Sequence, residues 1–437
     1  MHWFHGHVED GHDKRSFANS QPIRFEVFMH RSISVSVTSL CASLLVSGIS
    51  LAAPTPTPAD SRFTEGAFEQ ALPLYQTTVK NNPKDAHGLT QLGEIALYAN
   101  RLPDARRNFE AALRVDPVNK FVQRELAEID ARSGAHGTYR VEGGEHASTI
   151  PFVVTDPLPI VKVRINGQRD ANFLIDTGAP GVVLDPAVAK ALHLDVKSAG
   201  QGTFAGGEHT GVSQSSIESI KLGTLTIHIV PVMVMPMEGA PAPAGMHLDG
   251  IIGTSLFYHF LTTLDYAHGK LILAPRSDSA RFEQAAKRDG DSIVPLWYVP
   301  DHFLFARAQV KGAAPALFNI DTGAPGLGVQ VSKDLMQKSH IALDNSHKSH
   351  MHGPGGDVST INFTTSVTVG AIHQDKLPGM LTPGGDQYGI FPFAVGGTVS
   401  HEFFRKRAVS FDFEAMRMVV STPKASARVV TASHDYR

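Results

Sequence analysis

A single cysteine, Cys41, serves the whole 437-residue chain, so neither a disulfide framework nor a cysteine-based zinc site can be assembled. Tryptophan is almost as scarce, with two residues, which leaves no aromatic-rich platform of the kind a sugar-binding cleft would need. No sign of charge dominates: 39 Lys and Arg stand against 42 Asp and Glu, a formal −3. Such a balance makes no field for gathering phosphates and argues against a nucleic-acid partner. Long apolar runs are confined to Ile33–Leu51, which is barely long enough to span a bilayer and is rich in serine, so no stable membrane span is expected. What is present, 42% hydrophobic residues, suffices for the cores of two or three domains.

The most informative feature is a repeat. Ile175-Asp176-Thr177-Gly178-Ala179-Pro180-Gly181 recurs as Ile320-Asp321-Thr322-Gly323-Ala324-Pro325-Gly326, with the two aspartates 145 positions apart. Flanking segments match at nearly the same offset. Asn166-Gly167 answers to Lys311-Gly312 as a turn after an alternating strand, and Phe173-Leu174-Ile175 answers to Leu317-Phe318-Asn319-Ile320. Further on, Ile251-Ile252-Gly253 is paired with Val395-Gly396-Gly397, and Leu264-Asp265-Tyr266 with Phe411-Asp412-Phe413. A recurring unit with one carboxylate per copy predicts two β-rich lobes, 138–275 and 292–423, joined by a charged linker at 276–291.

On these residues the chain resembles the aspartic proteases, and its Asp-Thr-Gly-Ala form is similar to the retroviral-type, retropepsin-like branch. The resemblance implies a mainly β fold of two tandem acid-protease lobes forming one cleft. It also implies a psi-shaped brace beside each aspartate, here Ile251, Ile252 and Gly253, and Val395, Gly396 and Gly397. Asp176 and Asp321 would be catalytic, Thr177 and Thr322 would lock the two turns, and Gly178 and Gly323 would let backbone amides approach the carboxylates. No metal or organic cofactor is implied, and the substrate would be an extended peptide or protein.

Such chemistry has a physical basis. Amide hydrolysis without a covalent intermediate needs a base for water and an acid for the carbonyl. Two carboxyls about 3 Å apart cannot both ionise, so one retains a proton and the pair supplies both functions. Ala179 and Ala324 stand where many pepsin-like enzymes carry a serine hydroxyl, which favours the protonated form and predicts an optimum nearer neutral than a gastric enzyme's. Candidate flaps are Gly202-Thr203-Phe204-Ala205-Gly206-Gly207 and His352-Gly353-Pro354-Gly355-Gly356, though glycine runs are also ordinary hairpin tips. Two Pro/Gly-rich loops, Pro236–Gly250 and Pro378–Pro392, are expected to border the cleft or to be plain surface connections.

The N-terminal third differs in kind. Ala71 and Ala105, Tyr75 and Phe109, Val79 and Leu113, and Pro83 and Pro117 are each 34 apart, the period of the tetratricopeptide helix pair. Residues 60–133 therefore resemble a small α-helical repeat module, which either holds a protein partner or braces the lobes. Arg31, the apolar stretch Ile33–Leu51 and Ser50-Leu51-Ala52 read as a signal peptide within a leader spanning 1–53, with Met29 as an alternative start; the chain is expected to be exported to a periplasm or the medium. Residues 424–437 form a tail. His340, His347, His350 and His352 lack regular ligand spacing and read as a polar loop rather than a metal site. The expected activity is an aspartic-type endopeptidase; the rival is a degenerate cleft that binds peptides without cutting.

Overall fold

The computed structural model describes residues 56–134, 139–203, 209–237, 240, 242–300, 302–339, 341–353, 356–383 and 388–421. The expected leader, Cys41 and the tail lie outside the described residues, as do Phe204, Ala205, Gly206, Gly207, Pro354, Gly355 and His340.

Five helices come first: α1 (Pro58–Thr64), α2 (Phe68–Asn81), α3 (Ala86–Tyr98), α4 (Leu102–Val115) and α5 (Lys120–Arg132). Their starts are set by polar caps. Thr57 and Asp60 form a reciprocal capping box on α1, Asp85 accepts from Gly88 N on α3, and Asn119 accepts from Val122 N on α5. From Phe68 to Leu102 and from Ala86 to Lys120 the spacing is 34 residues, so the sequence period is also a period of helices. Ala71, Ala105 and Phe109 are fully buried. A Cβ on Gly93 would fall 2.4 Å from the Phe109 ring, so only glycine lets α3 and α4 approach this closely. Among the described residues no helix is long and apolar enough to cross a membrane.

From Tyr139 onward the chain is mainly strands, and one set of pairings recurs in two halves. In the first half Ile160–Ile165 turns into Arg169–Ile175 through Asn166 and Gly167, both left-handed at φ 48° and 65°. Gln168 completes a three-residue connection, its N donating to the Ile165 carbonyl at 2.9 Å. Arg169–Ile175 then lies parallel to Gly250–Ile252, which pairs antiparallel with Val182–Leu184. The second half repeats this with Phe303–Val310, Ala316–Ile320, Gly397–Val399 and Val329–Val331. Alternating burial along Ile160–Ile165 puts Val161, Val163 and Ile165 into the core, while the brace strands are buried on both faces.

Beneath both halves runs one antiparallel platform, in the order Ser148–Val154, Lys270–Ala274, Leu261–Asp265, Ala408–Asp412, Arg417–Val420 and Ser292–Val299. At its centre Thr263 and Ser410 join hydroxyls at 2.7 Å. The platform fixes the halves against each other.

The expected linker at 276–291 is not a plain tether. Arg276–Asp278 forms a short 3-10 turn and Ser279–Asp289 an α-helix ending at Gly290, which is left-handed at φ 73°. Buried Arg417 holds this helix, with Nε on Asp412 at 2.8 Å and Nη2 on the Ser279 carbonyl at 3.0 Å. A charge-rich helix reads as a linker in sequence because its charges face water while the few that matter point inward.

The five helices pack on the second half. Phe68 meets Trp297 and Phe393 edge-on at 5.0 Å each, and Phe63 and Tyr98 join the same cluster with Phe305, Leu317 and Val395. Burying an aromatic of this size contributes about 2–3 kcal/mol. Polar clamps surround the cluster: Ala394 N donates to the Thr64 carbonyl at 2.6 Å, and Arg132 donates to Leu97 and Tyr298 carbonyls while lying 3.9 Å over the Tyr298 ring. Asn100 donates to the Phe413 carbonyl and accepts from Tyr258 in the first half.

Candidate active site

Each aspartate caps a strand that a parallel neighbour holds in place. Asp176 N donates to the Ile252 carbonyl at 3.0 Å and Asp321 N to the Val399 carbonyl at 3.1 Å. Beside the first turn the parallel neighbour is the strand that contains Ile251 and Ile252 and leads into Gly253. Beside the second turn it is not Val395-Gly396-Gly397, because Phe318, Asn319 and Ile320 pair with Gly397, Thr398 and Val399. The true counterpart of Gly250-Ile251-Ile252-Gly253-Thr254 is Gly397-Thr398-Val399-Ser400-His401. Both opening glycines are forced: a Cβ on Gly250 would sit 2.2 Å from the Val183 carbonyl oxygen, and one on Gly397 only 1.9 Å from that of Gln330. Val395 belongs instead to the aromatic cluster under the helices, and Gly396 bonds Leu317 and Ser332 through its backbone.

The two turns interlock. Thr177 N donates to Thr322 Oγ1 and Thr322 N to Thr177 Oγ1, both at 3.0 Å, and Thr177 Oγ1 donates to the Ile320 carbonyl at 2.9 Å. Asp176 Oδ1 accepts from Gly178 N at 2.7 Å and Asp321 Oδ1 from Gly323 N at 2.8 Å. The glycines do more than donate. A Cβ on Gly178 would lie 2.5 Å from Asp321 Cγ, and one on Gly323 would lie 2.1 Å from Asp176 Cγ. Each carboxyl rests on the other half's glycine, so the two aspartates share one pocket. Ala179 and Ala324 are fully buried and bring no hydroxyl to it.

Both aspartates are 1% exposed. Burial foremost, then the charge of Asp321, pushes the Asp176 carboxyl well above the usual carboxylate range, against the opposing Gly178 amide. Two unit charges about 4 Å apart at an effective dielectric near 20 repel by about 4 kcal/mol, roughly a thousandfold in the second ionisation. A hydrogen bond between the two carboxyls also raises Asp176, and such a bond requires one of them to keep its proton.

Three residues beside the dyad had no role in the sequence reading. Thr254 Oγ1 donates to the Thr177 carbonyl at 2.8 Å, and Ser400 Oγ donates to the Asp321 carbonyl, so each brace sends a hydroxyl into the turn it supports. Thr254 directly follows the first brace, yet a threonine after a glycine gives no sign of which carbonyl it reaches. Tyr266 packs its ring on His401 at 5.1 Å.

Of the flap candidates, Thr203 ends the strand Lys197–Thr203, paired with His209–Leu222, while Gly353 and Gly356 face each other between Asp344–Gly353 and Gly356–Val369. Each glycine run thus falls at the end of a long hairpin, one from each half. The loop regions differ from each other. Met235, Met237 and Leu248 pack with Ala179 and Val183, near the first turn. Pro378 instead lies within the strand Ile372–Leu381, and Phe391 and Phe393 pack beneath the helices, so that region is neither a plain surface connection nor packed beside the first turn as the earlier loop is. Among the described residues no group of three or more His, Cys, Asp or Glu could hold a metal.

Residues 161–256 match the aspartyl protease family. The matched segment contains Asp176, its turn and the brace Ile251-Ile252-Gly253, and it ends before Asp321. No curated protein matches the chain in sequence. Similar solved structures include a retropepsin-like aspartic protease from Rickettsia conorii, at 19% identity and TM-score 0.21 over 31% of this chain and 90% of that one. The aspartic proteinase from Irpex lacteus aligns at 12% identity and TM-score 0.38 over 64% and 100%. Basic 7S globulin from soybean aligns at 10% and 0.38 over 67% and 99%. With TM-scores this low, the chemistry rests on the geometry of the site.

Proposed function

We propose that the chain is an exported aspartic endopeptidase whose two retropepsin-like lobes each supply one carboxyl. The observation that carries this reading is the mutual seating of Asp176 and Asp321, both buried and each against the other half's glycine. One proton shared by the pair makes one carboxyl a base and the other an acid. The base takes a proton from water as its oxygen attacks the scissile carbonyl carbon, while the acid gives its proton to the carbonyl oxygen. Collapse of the tetrahedral adduct breaks the C–N bond as the amide nitrogen accepts the proton taken from water, while the other carboxylate recovers its own from a gem-diol hydroxyl and the carbonyl re-forms as a carboxylic acid. The pair titrates as a unit, so neither role belongs to one residue.

The long hairpins Lys197–Leu222 and Asp344–Val369 are the proposed flaps, and an extended peptide with apolar side chains at the cut bond is the proposed substrate. Residues 60–133 are proposed as a tetratricopeptide-like module. Their aromatic packing on the second half favours a brace over a free partner-binding face. Export would remove 1–53, so N-terminal sequencing of the mature protein should begin near Pro54.

The test is cleavage of a mixed peptide library between pH 3 and 8 by the mature chain and by Asp176→Asn and Asp321→Asn variants of equal thermal stability. Each substitution should lower kcat at least about a thousandfold, as expected when an acid–base pair loses a member, and a pepstatin-type inhibitor should block the parent. Peptides bound but never cut would leave a non-catalytic binding cleft. Cleavage surviving either substitution would place the chemistry elsewhere.

A further inference from the structure

The two halves repeat each other's backbone but not each other's side chains beside the turns. In the first half Ile251 lies between Leu174 and Val183, and Val183 pairs with Met233, whose next neighbour on that side is Met235. Leu174, Val183, Met235 and Ile251 form one buried apolar cluster with Ala179 of the first turn. In the second half the same pairings put Thr398 between Asn319 and Gln330, and Gln330 beside Met380, whose next neighbour on that side is Thr382. Directly paired residues share a face of a sheet, as do residues two apart on a strand. Four apolar positions of the first half are therefore Asn319, Thr398, Gln330 and Thr382 in the second.

Asn319, Gln330 and Thr398 are buried, where polar groups cost folding free energy that apolar ones do not. Gln330 Nε2 donates to Thr382 Oγ1 at 2.8 Å, and the Tyr388 and Thr398 hydroxyls join at 3.0 Å. This polar face opens on a pocket of about 370 Å³, lined by Gln330, Ser332, Thr382 and Tyr388 together with Phe391 and Phe393. The lining stops short of 321–326, so the pocket lies to one side of the cut bond. Lys333 and Asp334 reach it only as exposed residues, and Lys338 already bonds Asp334 at 2.6 Å.

We propose that this pocket is a subsite of the cleft for a neutral side chain bearing a hydroxyl or an amide, with Gln330 as the residue that sets the preference. The proposal rests on the dyad reading given above, and it leaves the apolar side chains at the cut bond in place. The wall itself is neutral, so a charge entering it would lose water without gaining a buried counter-charge. An aliphatic side chain would strip water from the amide and hydroxyls without replacing its hydrogen bonds.

The test is cleavage by the full mature chain of peptides in which each position flanking the cut bond carries Thr or Val, or Asn or Leu, pairs matched in shape. The expected result is one position, on one side of the cut, where the polar member is cleaved about tenfold better by kcat/KM, one net hydrogen bond's worth of discrimination. Gln330→Val, the residue the first half uses at that register, should bring the ratio close to one. Thr382→Val, at the half-buried edge of the pocket, should lower it in the same direction and decides the matter if Gln330→Val does not fold. Equal cleavage of both members at every position, a ratio unchanged in the folded variants, or a preference there for charged side chains would overturn the proposal. If no peptide is cut, the endopeptidase reading fails on its own, and binding of the same peptides, fluorescently labelled, decides the subsite. Tighter binding of the polar members that the variants lose supports it; equal binding, or none, overturns it.

Discussion

Gly178 and Gly323 show how little room the paired turns leave. At neither position is left-handed backbone the reason for glycine; the reason is the opposite carboxyl, 2.5 Å from a Cβ on Gly178 and 2.1 Å from one on Gly323. Real Cβ atoms do not approach so closely, so Gly323→Ala must displace Asp176, and Asp176 is held in turn by Gly178 N. A misplacement of about 1 Å in a catalytic constellation costs about a hundredfold in rate. Gly323→Ala should therefore lower kcat at least about a hundredfold while costing about 1–3 kcal/mol in stability, the usual range for overpacking. Steady-state kinetics beside urea unfolding measure both; a variant that keeps full kcat would show that the carboxyls are not in contact with these glycines. The residue types at this point were legible in the sequence, since Asp-Thr-Gly-Ala-Pro-Gly appears twice. The hydroxyls of Thr254 and Ser400 were not, because a hydroxyl's use depends on which carbonyl the fold brings to it.

Among the elements, the second brace shows where sequence reasoning slipped and why. Val395-Gly396-Gly397 imitates the pattern of two apolar-permissive residues and a glycine, so it attracted the match to Ile251-Ile252-Gly253. The chain itself pairs three residues later, with Thr398 and Ser400 where the first half has Ile251 and Gly253. Two features fix the true register: a glycine whose Cβ would strike the neighbouring strand, and the apolar pairs Leu256-Phe257 and Phe403-Phe404 in the short helices that follow. The displaced segment is not idle. Tyr388, Phe393 and Val395 pack under α1–α3 and lead straight into the strand that supports Asp321. The helices thus brace the second half through the turn that carries Asp321. Phe68, fully buried between Trp297 and Phe393, is the centre of that contact. Phe68→Ala should destabilise the chain by about 3–5 kcal/mol, the usual loss for a buried phenylalanine. Helical and β signals should then melt together at a lower urea concentration. If the β signal keeps the parent's midpoint while the helical signal falls, the helices are an independent module.

Across the whole molecule three buried carboxyls share a preference for acid, opposed below about pH 6.5 by His259 and His401, which burial holds below the usual imidazole range. Glu94 in α3 is pushed up to about 8, by burial first and then by the charge of Glu125, although the Tyr98 hydroxyl bonds it at 2.7 Å. Glu125 in α5 is pushed up to about 7, again by burial first, with Arg124 and Arg132 pulling the other way. Asp176 is raised for the same foremost reason. In each case the folded protein keeps a proton that the unfolded chain releases near pH 4, at about 4.5 for the two glutamates and 3.8 for Asp176. Stability therefore falls as pH rises from about 4.5, by at most about 1.4 kcal/mol per pH step for each proton retained, and the loss from Glu94 is complete above about 8. Tyr98 lies in the same aromatic cluster as Phe63 and Phe393, so ionising Glu94 loosens the helices where they meet the segment behind Asp321. Two separate ionisations would then limit the protein at alkaline pH, one at the dyad and one in the helices. Glu94→Gln distinguishes them, because it removes the second and leaves the first. Thermal midpoints of the parent should decline from pH 5 to pH 8, and those of Glu94→Gln should decline less over the same interval, while both proteins lose peptide cleavage along the same alkaline limb. Equal slopes in the two proteins would mean that Glu94 is already ionised in the fold; an alkaline limb that moves with the substitution would mean that the helices, and not the carboxyl pair, set the upper pH limit of the reaction.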